Sequence, residues 1–95
     1  MGRTDLSVFL KEKRLEAKMT QSDLAEKLGY STPQFVSNWE RGQSNPPIET
    51  LKELAKLFKV NLEEVYKLLL KVSLEELEAD LRKKFFKEPR KAKKK

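Results

Sequence analysis

Apolar residues recur along this chain at spacings of three and four, and nowhere do they alternate with polar ones as in a half-buried strand. Leu6, Phe9, Leu10 and Ala17 open the pattern and predict a helix over about Asp5 to Lys18, with Thr4 as its N-cap. Between Thr20 and Gly42 the pattern divides into two short helices. Thr20 and Asp23 have the spacing of a capping box, and Leu24, Ala25 and Leu28 make one apolar face. Gly29 supplies the left-handed residue that ends that helix. Ser31 or Thr32 caps the next, over about residues 33–41, where Pro33 sits in a first turn that needs no N–H from it. QSNPP reads as a loop, and Pro47 starts a fourth helix with Ile48, Leu51, Leu54, Ala55 and Phe58 inward. That helix stops near Lys59. Asn61 caps a fifth, with Leu62, Val65, Tyr66 and Leu69 as its apolar positions. Five helices with short links predict an all-α domain ending near Leu70.

The helix over 33–41 has two faces. Val36, Trp39 and Glu40 share one, and Gln34, Ser37, Asn38 and Arg41 share the other. Two amides, a hydroxyl and a guanidinium on one stripe match the chemistry that reads base edges and phosphates in a major groove. An ordinary solvated face has much the same composition; the tight turn and the caps before it are what single this stripe out. Arg14 falls on the inward stripe of the first helix, and Glu40 on the apolar face of the third. Each charge would be expensive to bury alone, so the two are expected to form an ion pair joining those helices. The alternative is that each side chain snorkels separately to water.

With these residues in place, the stretch from 10 to 70 resembles the XRE family, the Cro/phage-repressor type of helix-turn-helix regulator. The resemblance rests on Arg14, Thr20-Gln21, Leu24-Ala25, Gly29, Val36, Glu40-Arg41-Gly42, Pro47 and the Leu51…Leu54-Ala55 helix, in that order. It implies a five-helix, lambda-repressor-like DNA-binding domain over 1–70, with its helix-turn-helix at 20–42. It implies also that Gln34 and Asn38 reach base edges, with Ser37 and Thr32 as secondary contacts to base or backbone. Gln21, Arg41, Gln43 and Asn45 would hold phosphates, Gln21 also bracing the reading helix, and the Arg14–Glu40 pair would be structural. The chain departs from the family pattern twice. Gly29 to Gly42 is one residue longer than in the commonest members, the extra one lying within Tyr30-Ser31-Thr32. Phe35 stands where a small or polar residue is usual, and either touches a thymine methyl or packs on Tyr30.

Beyond the minimal domain, Ser73 to Glu76 repeats the capping-box spacing, and Leu74, Leu77, Leu81 and Phe85 continue at three and four. Residues 71–87 are therefore expected to form an additional C-terminal helix, or to fuse with the fifth, since neither Pro nor Gly separates them. Its stripe buries either against its own domain or against a second copy, and relatives commonly bind two-fold sites as dimers. Residues 88–95 read as a basic, flexible tail that clamps neighbouring phosphates or merely aids solubility.

Composition narrows the chemistry. The net charge of +6 is uneven: residues 1–60 carry ten Lys/Arg against eight Asp/Glu, 61–81 two against six, and 82–95 nine against one. The basic excess sits at the C-terminal end, so overall charge says little about the folded body. No cysteine and no histidine are present, which argues against disulfides, zinc sites and the usual general base. No cofactor, metal or catalytic role is expected, nor a membrane span or signal peptide. The expected protein is a cytoplasmic, nucleoid-associated regulator of bacterial or phage type, a homodimer that binds double-stranded DNA and usually represses. Two other functions fit the same residues: sequence-tolerant DNA coating through the tail, and an antitoxin-like protein-interaction module on the same fold.

Overall fold

A computed structural model describes residues 2–86, and its five helices carry no strand between them. They are α1 (Asp5–Glu16), α2 (Gln21–Lys27), α3 (Gln34–Glu40), α4 (Ile48–Phe58) and α5 (Leu62–Phe86). The expected tail at 88–95 lies outside the described residues.

Each end of a helix leaves backbone groups without intrahelical partners, and the sequence supplies most of the substitutes. Thr4 Oγ1 accepts from Ser7 N–H at 3.0 Å while Ser7 Oγ accepts from Thr4 N–H at 2.7 Å, a reciprocal box at the start of α1. Thr20 and Asp23 do the same for α2, at 2.9 Å in both directions. Pro33 and Pro47 are themselves the N-cap residues of α3 and α4, with no side-chain bond of their own. At the C-termini, α1 to α4 share one device. In each, a residue in the left-handed region (Lys18, Gly29, Gly42 and Lys59, φ 60°, 87°, 77° and 58°) turns the chain. The next N–H then reaches back five residues: Met19 to Arg14, Tyr30 to Ala25, Gln43 to Asn38, and Val60 to Ala55. Gly29 was expected in this role. Lys18 was expected inside α1, which ends at Glu16, and Ala17 is exposed rather than inward.

Leu6, Leu10, Leu24, Ala25, Val36, Trp39, Leu51, Leu54, Ala55, Val65 and Val72 form one core. It is closed by α1 against α3 and α5, α2 against α3, and α4 against α5. Phe9, Leu28, Phe58 and Leu69 pack partly buried at its margin. Ile48, Leu62 and Tyr66, expected to face inward, are more than half exposed. The inner side of α5 is instead the row Val65, Leu68, Leu69 and Val72.

The extension is not a sixth helix. It continues α5 without a break, because a serine that caps a helix in isolation is tolerated inside one already nucleated by upstream packing. The core also runs past Leu70: Val72 is only 1% exposed, and Lys71 pairs with Asp5 at the start of α1. From Ser73 to Phe86 every residue is exposed, so the last part of α5 stands clear of the body for about 20 Å.

Candidate nucleic-acid interface

α3 is positioned from behind. Arg14 on α1 donates Nε to Glu40 Oε2 at 2.7 Å and Nη2 to Glu40 Oε1 at 3.0 Å, a two-pronged pair. Its third group, Nη1, donates to the carbonyl of Met19 at 2.7 Å and so ties the turn that leads into α2. Gln21, the first residue of α2, donates Nε2 to Glu40 Oε1 at 3.0 Å. Glu40 thus accepts three hydrogen bonds from two helices while 3% exposed, and Arg14 is 6% exposed. The charges are compensated and the polar atoms engaged, which is what makes such a burial tolerable. α3 gains a fixed rotation and a fixed distance from α1 and α2.

Aromatic packing sets the other side. The ring of Trp39, in the core, meets Tyr30 edge-on with centroids 5.8 Å apart, and Phe35 lies against Tyr30 at 5.0 Å. Tyr30 belongs to the longer turn, so the extra residue sits beside an aromatic cluster that holds the start of α3. Of the two readings of Phe35, packing on Tyr30 is the one seen, although half of its surface remains exposed.

On the outward side, Gln34 and Arg41 are exposed and Ser37 and Asn38 are half-buried, in one row along α3. They form a small network. Gln34 Nε2 donates to Asn38 Oδ1 at 3.1 Å, and Arg41 Nη2 donates to the same oxygen at 2.8 Å. Arg41 Nε also approaches the Ser37 carbonyl at 3.4 Å. Both lone-pair directions of Asn38 Oδ1 are therefore used. Pairing Asn38 with adenine, which needs that oxygen as acceptor, requires one of these contacts to open.

The remaining residues singled out in the sequence divide by position. Thr32 is exposed, and its hydroxyl accepts from the Gln34 N–H at 3.3 Å, so it also supports the first turn of α3. Gln43 is exposed and Asn45 half-buried, in the loop that follows Gly42. Gln21, half-buried, turns its amide toward Glu40 and so braces α3. Leu74, Leu77, Leu81 and Phe85 lie on the exposed part of α5, away from this face. The left-handed conformations of the two exposed lysines, Lys18 and Lys59, were invisible in the sequence, although the helix stop near Lys59 was expected, since lysine carries no preference for a left-handed backbone.

No helix among the described residues is long and apolar enough to cross a membrane. Residues 10–65, from the first helix into α5, match the family model described as Helix-turn-helix. Over 56 residues the chain is 38% identical to the HTH-type transcriptional activator BcrR of Enterococcus faecalis, a match covering 59% of this chain and 27% of that protein. It is 40% identical over 45 residues to the Type II methyltransferase M1.ScrFI of Lactococcus lactis subsp. cremoris, covering 45% of this chain and 12% of the methyltransferase. The chain thus spans less than a third of the length of either relative. No solved structure matches it significantly.

Proposed function

The chain belongs to the XRE-type helix-turn-helix family of DNA-binding transcription regulators, and we propose that it is a dimeric, sequence-specific repressor of a palindromic operator. α3 enters the major groove, with Gln34 and Asn38 at base edges and Ser37 and Thr32 beside them. Arg41, Gln43 and Asn45 hold phosphates at the C-terminal end of that helix and fix its register. Gln21 acts from the rear, through Glu40.

The observation that carries this reading is the contrast between the two sides of α3. Its inner face is locked by a three-donor carboxylate and a tryptophan, and its outer face is a continuous row of hydrogen-bonding groups. A scaffold this rigid behind a polar row suits recognition, because the geometry of base contacts must be held to within a fraction of an ångström. A helix that serves only solubility needs no such lock.

Repression follows from occupancy of a site that overlaps a promoter, in the cytoplasm at the nucleoid. The relative in Enterococcus faecalis is a transcriptional activator, so the sign depends on where the operator lies relative to the polymerase. The test is a reporter whose promoter overlaps the bound site. Wild-type protein is expected to lower transcription, and Asn38→Ala, at equal abundance, to restore it. A reporter that rises with wild-type protein assigns activation; one indifferent to both removes the regulatory reading.

A further inference from the structure

The least accounted-for surface is a row of apolar side chains on α5 that no part of the described chain covers. Leu62, Tyr66, Leu70, Leu74, Leu77, Leu81 and Phe85 are each 40% exposed or more, and Phe85 and Phe86 reach 77% and 74%. At spacings of four, four, four, three, four and four they share one side of the helix. Beside the first of them, between α4 and α5, lies a wholly apolar groove of about 280 Å³ walled by Ile48, Leu51, Leu62, Val65, Tyr66 and Leu69, with the Lys52 stem at its margin.

We propose that this surface binds a second copy of the chain with the two α5 helices antiparallel, so that Phe85 of each copy fills the α4–α5 groove of the other. Three features carry it. The spacing is self-complementary when reversed: with a two-fold axis between Ser73 and Leu74, Leu70 meets Leu77, Tyr66 meets Leu81 and Leu62 meets Phe85. The steps of four residues from 62 to 70 match those from 77 to 85, so six of the seven find an apolar partner in one register, and Leu74, next to the axis, lies beside Leu74 of the second copy.

The charges agree with the same register. Glu63 comes opposite Lys84. Lys67 and Lys71, on the flank of the stripe, straddle Glu78 of the second copy, while Lys71 keeps its contact with Asp5. The charges along the described helix point the same way, since 61–65 carry Glu63 and Glu64 with no basic group, and 82–86 carry Arg82, Lys83 and Lys84 with no acidic one. In the antiparallel register 82–86 of one copy lie along 61–65 of the other, whereas a parallel pair sets each run beside its like.

Shape adds the third feature. The groove is concave and apolar, and the ring of Phe85, 77% exposed, stands on the same stripe at the opposite end of the helix. Buried aromatic anchors in desolvated pockets dominate binding energy at interfaces. A two-fold arrangement supplies both contacts at once, as an isologous interface requires. The pairing rests on the dimeric operator reading above and gives that dimer its geometry.

The absence of cysteine makes the arrangement directly testable. Full-length Tyr66→Cys and Leu81→Cys variants are oxidised separately and as a mixture, and the products are read by mass. The antiparallel register is expected to give the mixed disulfide in the mixture and little disulfide within either variant alone. A parallel pair brings each cysteine to its own copy and sets positions 66 and 81 about 22 Å apart, so homodisulfides without the mixed species overturn the proposal. No cross-link in either case, with a monomeric mass in solution, overturns it also. Phe85→Ala, at an exposed site that cannot unfold the body, is expected to weaken self-association about ten- to a hundredfold, and unchanged association contradicts the anchor. If cross-linking fails while a two-fold motif is still selected from random DNA, only this interface falls and the operator reading stands.

Discussion

The guanidinium of Arg14 and the carboxylate of Glu40, 26 residues apart in the chain, meet through two parallel hydrogen bonds at the buried junction of α1 and α3. Removing one partner leaves the other charged and nearly inaccessible. Arg14→Ala is expected to destabilise the domain by about 3–5 kcal/mol, read from urea unfolding. Arg14→Met combined with Glu40→Leu is expected to recover most of that loss, because burial of apolar groups then replaces a paired charge. A single-variant loss under about half a kcal/mol would mean that the pair is not desolvated, in conflict with its geometry.

The row on α3 is coupled through one atom, Asn38 Oδ1, which accepts from both Gln34 and Arg41. Asn38→Ala and Gln34→Ala are each expected to cost about 1–3 kcal/mol on the selected site and to relax preference at the base contacted. The double variant is expected to lose less than the sum, since residues in one hydrogen-bond network are not additive. Arg41→Ala is expected to weaken binding to all sequences alike and to reduce the salt slope by about one. Anisotropy titrations at several salt concentrations separate the two behaviours.

Lys18 and Lys59 hold left-handed conformations with φ of 60° and 58°, where a side chain is disfavoured. Both are exposed, so the side chain contributes little to offset the strain. Replacing either with glycine is expected to stabilise the fold by about 0.5–1 kcal/mol, or several degrees in Tm. A fall in Tm for both would show that their backbone is not strained.

Asp23 is held below its ordinary carboxylate pKa, first by the Thr20 backbone N–H and then by the Thr20 side chain. With a depressed folded-state value, its contribution is present above the unfolded pKa near 3.8 and lost as pH falls through the folded one. Wild-type protein is therefore expected to lose its Tm advantage over Asp23→Asn as pH drops below about 4. The difference between the two is expected to be constant from pH 5 to 8. Thr20→Ala, which removes the other half of the box, is expected to cost about 1 kcal/mol at neutral pH.

Much of this architecture was legible in the sequence because its signals are local. Thr4, Thr20 and Gly29 announce helix ends through side-chain reach and backbone freedom, and those ends fall where expected. The start of α3 was read one residue early, since Pro33 fits a first turn and a cap equally well. Ile48, Leu62 and Tyr66 were misplaced for a different reason. α5 carries two apolar rows, Val65–Leu68–Leu69–Val72 and Leu62–Tyr66–Leu70–Leu74, and periodicity alone does not say which of them the body covers. Burial of Val72 depends on α1 lying across α5, a contact between distant parts of the chain. The charged pair at 14 and 40 was readable from burial cost, whereas the sharing of Asn38 Oδ1 depends on rotamers that no spacing encodes.

The central claim is that α3 reads a defined base sequence, twice, across a two-fold axis. Selection of bound sites from a random DNA pool, with full-length protein at physiological salt, tests it most directly. The expected result is a two-fold symmetric motif with half-sites about one helical turn apart, lost on Asn38→Ala. A pool that stays random while DNA is still bound at low salt would contradict base reading and leave sequence-tolerant coating. No binding at any salt would contradict the DNA interface and leave a protein-partner module on this fold.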